Sequence, residues 1–114
     1  MRLTQGRFEQ EALRALANPH RLKIIEMLSG SDKAFTEIQR AVGLEKGSLT
    51  YHMKDLVKAG LVANIYERKV ESNPRVYSYY ALTSFGAFTR DMYRQLKERG
   101  PALRQQKIAA SAAP

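Results

Sequence analysis

Two short helical patterns joined through a glycine give way, at Leu61, to segments rich in Val, Ile and Tyr, and few folds accommodate that order. Phe35 precedes Thr36, a plausible N-cap for a short helix carrying Ile38, Ala41 and Val42. Gly43 ends that helix where a positive φ is needed. A second pattern follows within a few residues, with Leu49, Met53, Leu56 and Val57 on one side and Gly60 at its close. Two short helices around a tight glycine turn make a helix-turn-helix. Leu61 to Val70 and Val76 to Leu82 then read as strands, and Glu71-Ser72-Asn73-Pro74-Arg75 between them is turn chemistry, so the pair is a hairpin.

The flanks are helical. Phe8, Ala12, Ala15 and Leu16 recur at helical spacing from Arg7 to Ala17, with Leu13 beside them. Asn18-Pro19 supplies an N-cap and a first-turn proline for a second helix through Leu22, Ile25 and Leu28. Thr83 caps a last helix that runs to about Arg99, where Gly100-Pro101 is expected to stop it. The predicted order is α-α-α-α-β-β-α, mainly α with a small β-hairpin, and one short strand near Phe35 joins the hairpin. The 114 residues are expected to form a single domain, with a core at about 7–99 and a frayed tail over 101–114.

Nineteen Lys and Arg against eleven Asp and Glu give a net charge of +8, which favours a polyanionic partner. With no cysteine, a disulfide framework, a thiolate zinc site and a cysteine nucleophile are excluded together. No apolar run approaches the ~20 residues of a membrane helix, and the N-terminal stretch lacks the apolar segment of a signal peptide. The expectation is a cytoplasmic protein with no membrane partner.

The segment Gly43 to Val62, GLEKGSLTYHMKDLVKAGLV, resembles the turn and recognition helix of ArsR- and MarR-type winged helix regulators. Leu16 to Leu28, LANPHRLKIIEML, resembles the second-helix signature of the ArsR group. The hairpin followed by ALTSFG, Ala81 to Gly86, resembles the end of the wing and the start of the dimer helix in the MarR group. Together the pieces span roughly residues 7–99. The resemblance implies a winged helix-turn-helix, prokaryotic and nucleoid-associated, dimerising through terminal helices. Metal-sensing ArsR members carry a paired-cysteine motif on the helix that here reads Thr36 to Val42, or His and Asp pairs on the last helix. This chain has no cysteine, and only Asp91 on the last helix, so no metal site and no cofactor is expected. Glu45 replaces the Ser or Thr that usually caps the recognition helix.

A recognition helix presents its N-terminal residues to base edges and anchors its opposite face. With a start near Lys46, the DNA-facing set is Lys46, Gly47, Ser48, Thr50, Tyr51 and Lys54, and Leu49, Met53 and Leu56 form the anchor. Gly47 costs helix stability, so it points either to close approach of a phosphate or to relief of a cramped turn. His52 is assigned a hydrogen bond to phosphate or neighbouring backbone, and His20 a surface position; the two are not read as a metal pair. Arg68, Lys69 and Arg75 around the hairpin tip are assigned to phosphate contacts by the wing. Tyr77, Tyr79 and Tyr80 read as strand packing rather than base stacking.

The last helix carries an apolar seam of Phe85, Phe88, Met92 and Leu96, with Tyr93 beside it, and a basic face of Arg90, Arg94 and Lys97. Residues 83–114 hold six Lys and Arg against Asp91 and Glu98, or +4, which places charge along a possible DNA-facing flank. A seam of this kind on so small a domain asks for a partner, and a second copy is the economical one, with Phe8 and Leu16 contributing. The reading is a homodimeric, sequence-specific regulator of transcription that binds double-stranded DNA and is not an enzyme. The alternatives are a low-specificity architectural DNA-binding protein and a winged helix protein-interaction module of a transcription complex. No motif names a small-molecule effector.

Overall fold

The computed structural model describes residues 7–70 and 73–106, with the backbone alone for 67–70 and 73–77. Among the described residues the order is α1 (Phe8–Leu16), α2 (Pro19–Gly30), β1 (Lys33–Ala34), α3 (Phe35–Val42), α4 (Lys46–Lys58), β2 (Val62–Val70), β3 (Asn73–Leu82) and α5 (Ser84–Arg104). The sheet is antiparallel in the order β1-β3-β2. The helix-rich order and the extra short strand before Phe35 are those expected.

Local chemistry explains most boundaries. The Asn18 side chain accepts from the backbone N–H groups of His20 and Arg21 at 2.9 and 3.2 Å, and Pro19 opens α2 where no N–H is needed. Gly43 follows α3 at φ 70, a left-handed conformation that L side chains rarely adopt, with its N–H bonded to the Gln39 carbonyl. The Thr83 hydroxyl accepts from Gly86 N–H at 2.8 Å and donates to the Gly60 carbonyl at 2.6 Å. One side chain therefore caps α5 and ties it to the turn after α4.

Three boundaries differ from expectation. Thr36 is not the cap of α3: the helix starts at Phe35, and Glu37 reaches back to accept from Ala34 N–H at 2.8 Å. A carboxylate at the third helical position thus satisfies the N–H of the cap residue itself, and no N-cap side chain accepts from the first turn. Asn73, Pro74 and Arg75 belong to β3 rather than to the turn. Pro74 is tolerated there because β1 pairs only with Tyr79 and Tyr80, leaving that side of β3 an open edge among the described residues. The last helix continues through Pro101 to Arg104. Gly100 lacks the Cβ that would otherwise clash with the proline ring, which eases helical geometry before Pro101.

The core gathers Leu16, Ile24, Ile25, Ile38, Leu49, Met53, Leu56, Leu61 and Val62, all nearly inaccessible. Gly86 lies where α5 crosses the start of β2, and a Cβ there would run into the Leu61 carbonyl oxygen and come within 2.8 Å of Leu82 Cδ1. Because the obstacle is backbone, Gly86→Ala is expected to destabilise the fold by about 1–3 kcal/mol. Urea unfolding followed by circular dichroism checks this; an unchanged midpoint would mean that α5 can slide to make room.

Candidate nucleic-acid interface

Helix α4 lies with Leu49, Met53 and Leu56 fully buried, so its opposite side is fixed outward. Lys46, Gly47, Ser48 and Lys54 are exposed, Tyr51 is 62% exposed, and Thr50 is half-buried. The anchor and outward sets are those read from spacing. Glu45 makes no side-chain cap, so the first N–H groups of α4 have no side chain of the N-cap to satisfy them. A Cβ at Gly47 would meet open space, so nothing within the chain demands glycine there.

The hairpin stands beside α4. Arg68 pairs with Val76 across it and Val70 with Asn73, so Lys69 lies opposite an irregularity at which β3 carries the extra residue, at Pro74-Arg75. Arg75 lies on the facing strand. The side chains of these three lie outside the described residues, as does the Tyr77 side chain. Tyr80 is buried with its ring 6.5 Å from Phe35, in keeping with strand packing.

His52 makes a contact that spacing alone did not point to. Its Nδ1 accepts a hydrogen bond from Arg21 Nε at 2.9 Å, a side chain of α2. Arg21 is 6% exposed and also pairs with Asp55 Oδ2 at 2.5 Å and donates to the Ala15 carbonyl at 3.4 Å. Its guanidinium carbon lies 5.4 Å from the centre of the Tyr51 ring. Sequence reasoning passed over Arg21, although its place at the head of the Arg21, Ile25, Leu28 stripe put a charge on the buried face of α2. His20 is exposed as expected, yet its ring lies 5.6 Å from that of His52. No group of three or more His, Cys, Asp or Glu able to hold a metal occurs among the described residues.

Desolvation, first, and then the positive charges of Arg21 and His20 push His52 below the ordinary histidine value, with Asp55 opposing. The neutral form is therefore favoured in the folded state. The stability this contributes is whole above about pH 6.5 and falls as the pH drops through that value, because the unfolded chain takes up the proton first.

The seam on α5 is mostly open: Phe88, Met92 and Leu96 are 60%, 53% and 68% exposed, and Phe8 on α1 is 55% exposed. Phe85 is half-buried and packs on Phe8 with ring centres 5.9 Å apart. Leu16 is a correction. At 2% exposure it belongs to the core, because α1 turns that side toward α2 and α4 and leaves Leu13, not Leu16, at the surface beside Phe8. Between α1 and α5, Phe8, Leu13, Phe85, Phe88 and Met92 line an apolar groove of about 300 Å³. The basic face of α5 is partly engaged within the chain. Arg94 forks onto Glu26 at 2.5 and 3.3 Å, and Arg90 donates to Ser29 at 2.8 Å and pairs with Asp91.

Residues 16–64 match the family model of a helix-turn-helix domain. Among solved structures, the chain is similar to a candidate MarR-family transcriptional regulator from Enterococcus faecalis V583, at 23% identity and TM-score 0.70, covering 94% of each chain. It is also similar to a homodimeric winged helix-turn-helix DNA-binding domain from Mycobacterium bovis, at 20% identity and TM-score 0.66, covering 90% of this chain and 87% of that one. NolR from Sinorhizobium fredii matches at 26% identity and TM-score 0.64, over 82% of this chain and 85% of that one. No curated protein sequence matches. The fold is a winged helix-turn-helix. The similar solved structures include a MarR-family regulator and a possible ArsR-family regulator, in line with the resemblance read from the sequence. No helix among the described residues is long and apolar enough to cross a membrane.

Proposed function

We propose that the chain is one winged helix-turn-helix domain that acts as a homodimeric, sequence-specific regulator of transcription on double-stranded DNA in the cytoplasm, at the nucleoid. The observation that carries this reading is the outward side of α4. A rigidly anchored helix offers Lys46, Ser48, Tyr51 and Lys54 to solvent, with half-buried Thr50 among them, on a chain of net charge +8. The hairpin carrying Arg68, Lys69 and Arg75 is suited to lie along phosphates beside the helix. The apolar groove and seam of α1 and α5 suit a second copy, and two-fold symmetry would set the two α4 helices to half-sites about 34 Å apart.

Selection of bound duplexes from a random pool at moderate salt tests the proposal. A motif with two-fold symmetry is expected; a flat result would favour the architectural alternative. Gly47 offers a finer check, since open space around its missing Cβ leaves room for close approach of a phosphate. Gly47→Ala is expected to stabilise the free protein by up to about 1 kcal/mol while weakening DNA binding. Thermal unfolding and fluorescence anisotropy read the two sides. Gains in both would show that nothing approaches the helix there.

A further inference from the structure

We propose that Arg21 is a positioning residue for base reading: through its hydrogen bond to neutral His52 it holds Tyr51 in place on α4, so that protonation of His52 releases Tyr51 and costs sequence discrimination. This rests on the reading of α4 as the helix that meets DNA.

Arg21 touches three helices. It belongs to α2, donates to the Ala15 carbonyl at the end of α1, and meets His52, Asp55 and the Tyr51 ring on α4. Burying a guanidinium is costly, and a buried ion pair is better explained by the arrangement it enforces than by net stability. Here the arrangement is specific. Nε is committed to His52, a terminal nitrogen is committed to Asp55, and the ring of Tyr51, itself 5.5 Å from the His52 ring, lies over the guanidinium. A planar fork can serve those directions together; an ammonium cannot. Tyr51 is the largest exposed side chain on the outward side of α4, so what holds its ring decides where its hydroxyl points.

The hydrogen bond works in one protonation state only. Nδ1 of His52 accepts, which places the ring proton on Nε2. A proton added at Nδ1 would face the Arg21 N–H donor, and the bond would be replaced by repulsion. The charged groups around His52 are Arg21 and His20 from α2 and Asp55 from α4 itself, with Tyr51 alongside. Glu11 and Arg14 of α1 and Lys58 of α4 meet Asp55 around a shallow recess. Asp55 alone among the groups acting on His52 favours its charged form, and it is already paired with Arg21.

Two effects oppose each other on acidification, and they can be separated. A protonated histidine near DNA strengthens binding to any sequence, whereas a displaced Tyr51 weakens the preferred sequence relative to others. The discriminating quantity is therefore the ratio of affinities for the duplex recovered by selection and for a random duplex of equal length. Between pH 7.5 and 5.0 this ratio is expected to fall roughly tenfold in the unmodified protein, the scale of discrimination carried by a single side chain reading a base edge. Arg21→Lys, which keeps the charge, should show the lowered ratio already at pH 7.5. His52→Gln, a neutral acceptor for Arg21, should hold the high ratio across the range. His20→Gln should keep the transition, at a slightly higher pH. In the free protein, the Tyr51 ring resonances should titrate with the His52 midpoint, and should not titrate in His52→Gln. A preferred duplex whose ratio stays flat with pH and in Arg21→Lys would overturn the positioning role and leave the regulator reading intact. If selection returns no preferred duplex, the regulator reading fails first, and Tyr51 resonances indifferent to His52 would remove the Arg21 coupling as well.

Discussion

Replacing Phe88 and Met92 together by alanine is expected to give a folded monomer, against the dimer proposed for the unmodified chain. Both side chains are more than half exposed in the single protomer and line the groove between α1 and α5, so their loss removes little from the protomer's own core. If a second copy covers them, each truncation should remove about 2 kcal/mol of association, the scale of an interface hot spot. Two-fold symmetry counts every substitution twice. Even a single substitution then costs about 4 kcal/mol, near a thousandfold in the dimer dissociation constant, and the double variant more. Light scattering at micromolar concentration reads the mass, and circular dichroism confirms that the variant remains helical. An unmodified chain that is already monomeric at that concentration would end the dimer proposal.

The recognition helix and the wing should fail in different ways. On the proposed reading Tyr51 and Thr50 reach base edges, so Thr50→Ala or Tyr51→Ala should cost about 1–3 kcal/mol of discrimination at particular base pairs, with binding to random DNA nearly unchanged. Arg68 and Arg75 stand on the hairpin, where phosphate carries no base identity. Alanine at either should weaken all sequences alike and reduce the slope of log K against log salt by roughly one for each phosphate left unneutralised, or about two in a dimer. Salt titrations on a selected duplex and on random DNA separate the two behaviours. Equal weakening on both duplexes for the Thr50 and Tyr51 variants would mean that α4 reads no bases, and the architectural reading would take its place.

What can be read from sequence is whatever depends on neighbours a few positions away. The buried stripe of α4 follows from the spacing of Leu49, Met53 and Leu56, and the start of α2 follows from Asn18-Pro19, because both are settled within two turns of helix. At the start of α3, Thr36 and Glu37 imply starts one residue apart, and the helix takes the earlier one, where the Glu37 carboxylate reaches the Ala34 N–H. Pro101 is a strong local signal for ending α5, yet the glycine before it weakens that signal and the helix runs on. The burial of Leu16 and the partners of Arg21 lie out of reach for another reason. Which side of α1 is covered, and whether a guanidinium can be buried, depends on partners such as His52 and Asp55, more than thirty residues along the chain from Arg21. The candidate interface divides in the same way: its outward residues are a matter of helical phase, and its bracing is a matter of tertiary contact.

The junction at Gly60, Thr83 and Gly86 has a mechanical consequence. The hydroxyl of Thr83 grips the turn that ends α4, and α5 sits directly on the Leu61 backbone with no side chain between them. From the other side, Arg94 and Arg90 fasten α5 to Glu26 and Ser29 on α2. The long terminal helix is thus fastened at two points, one at the end of α4 and one on α2, so that α4 and α5 stand to each other like the jaw and the arm of a caliper. In a pair of such protomers the gap between the jaws would be set at the hinge where the arms meet, and one base pair inserted between half-sites, advancing the groove by about 3.4 Å and about a tenth of a turn, would be felt by both jaws at once.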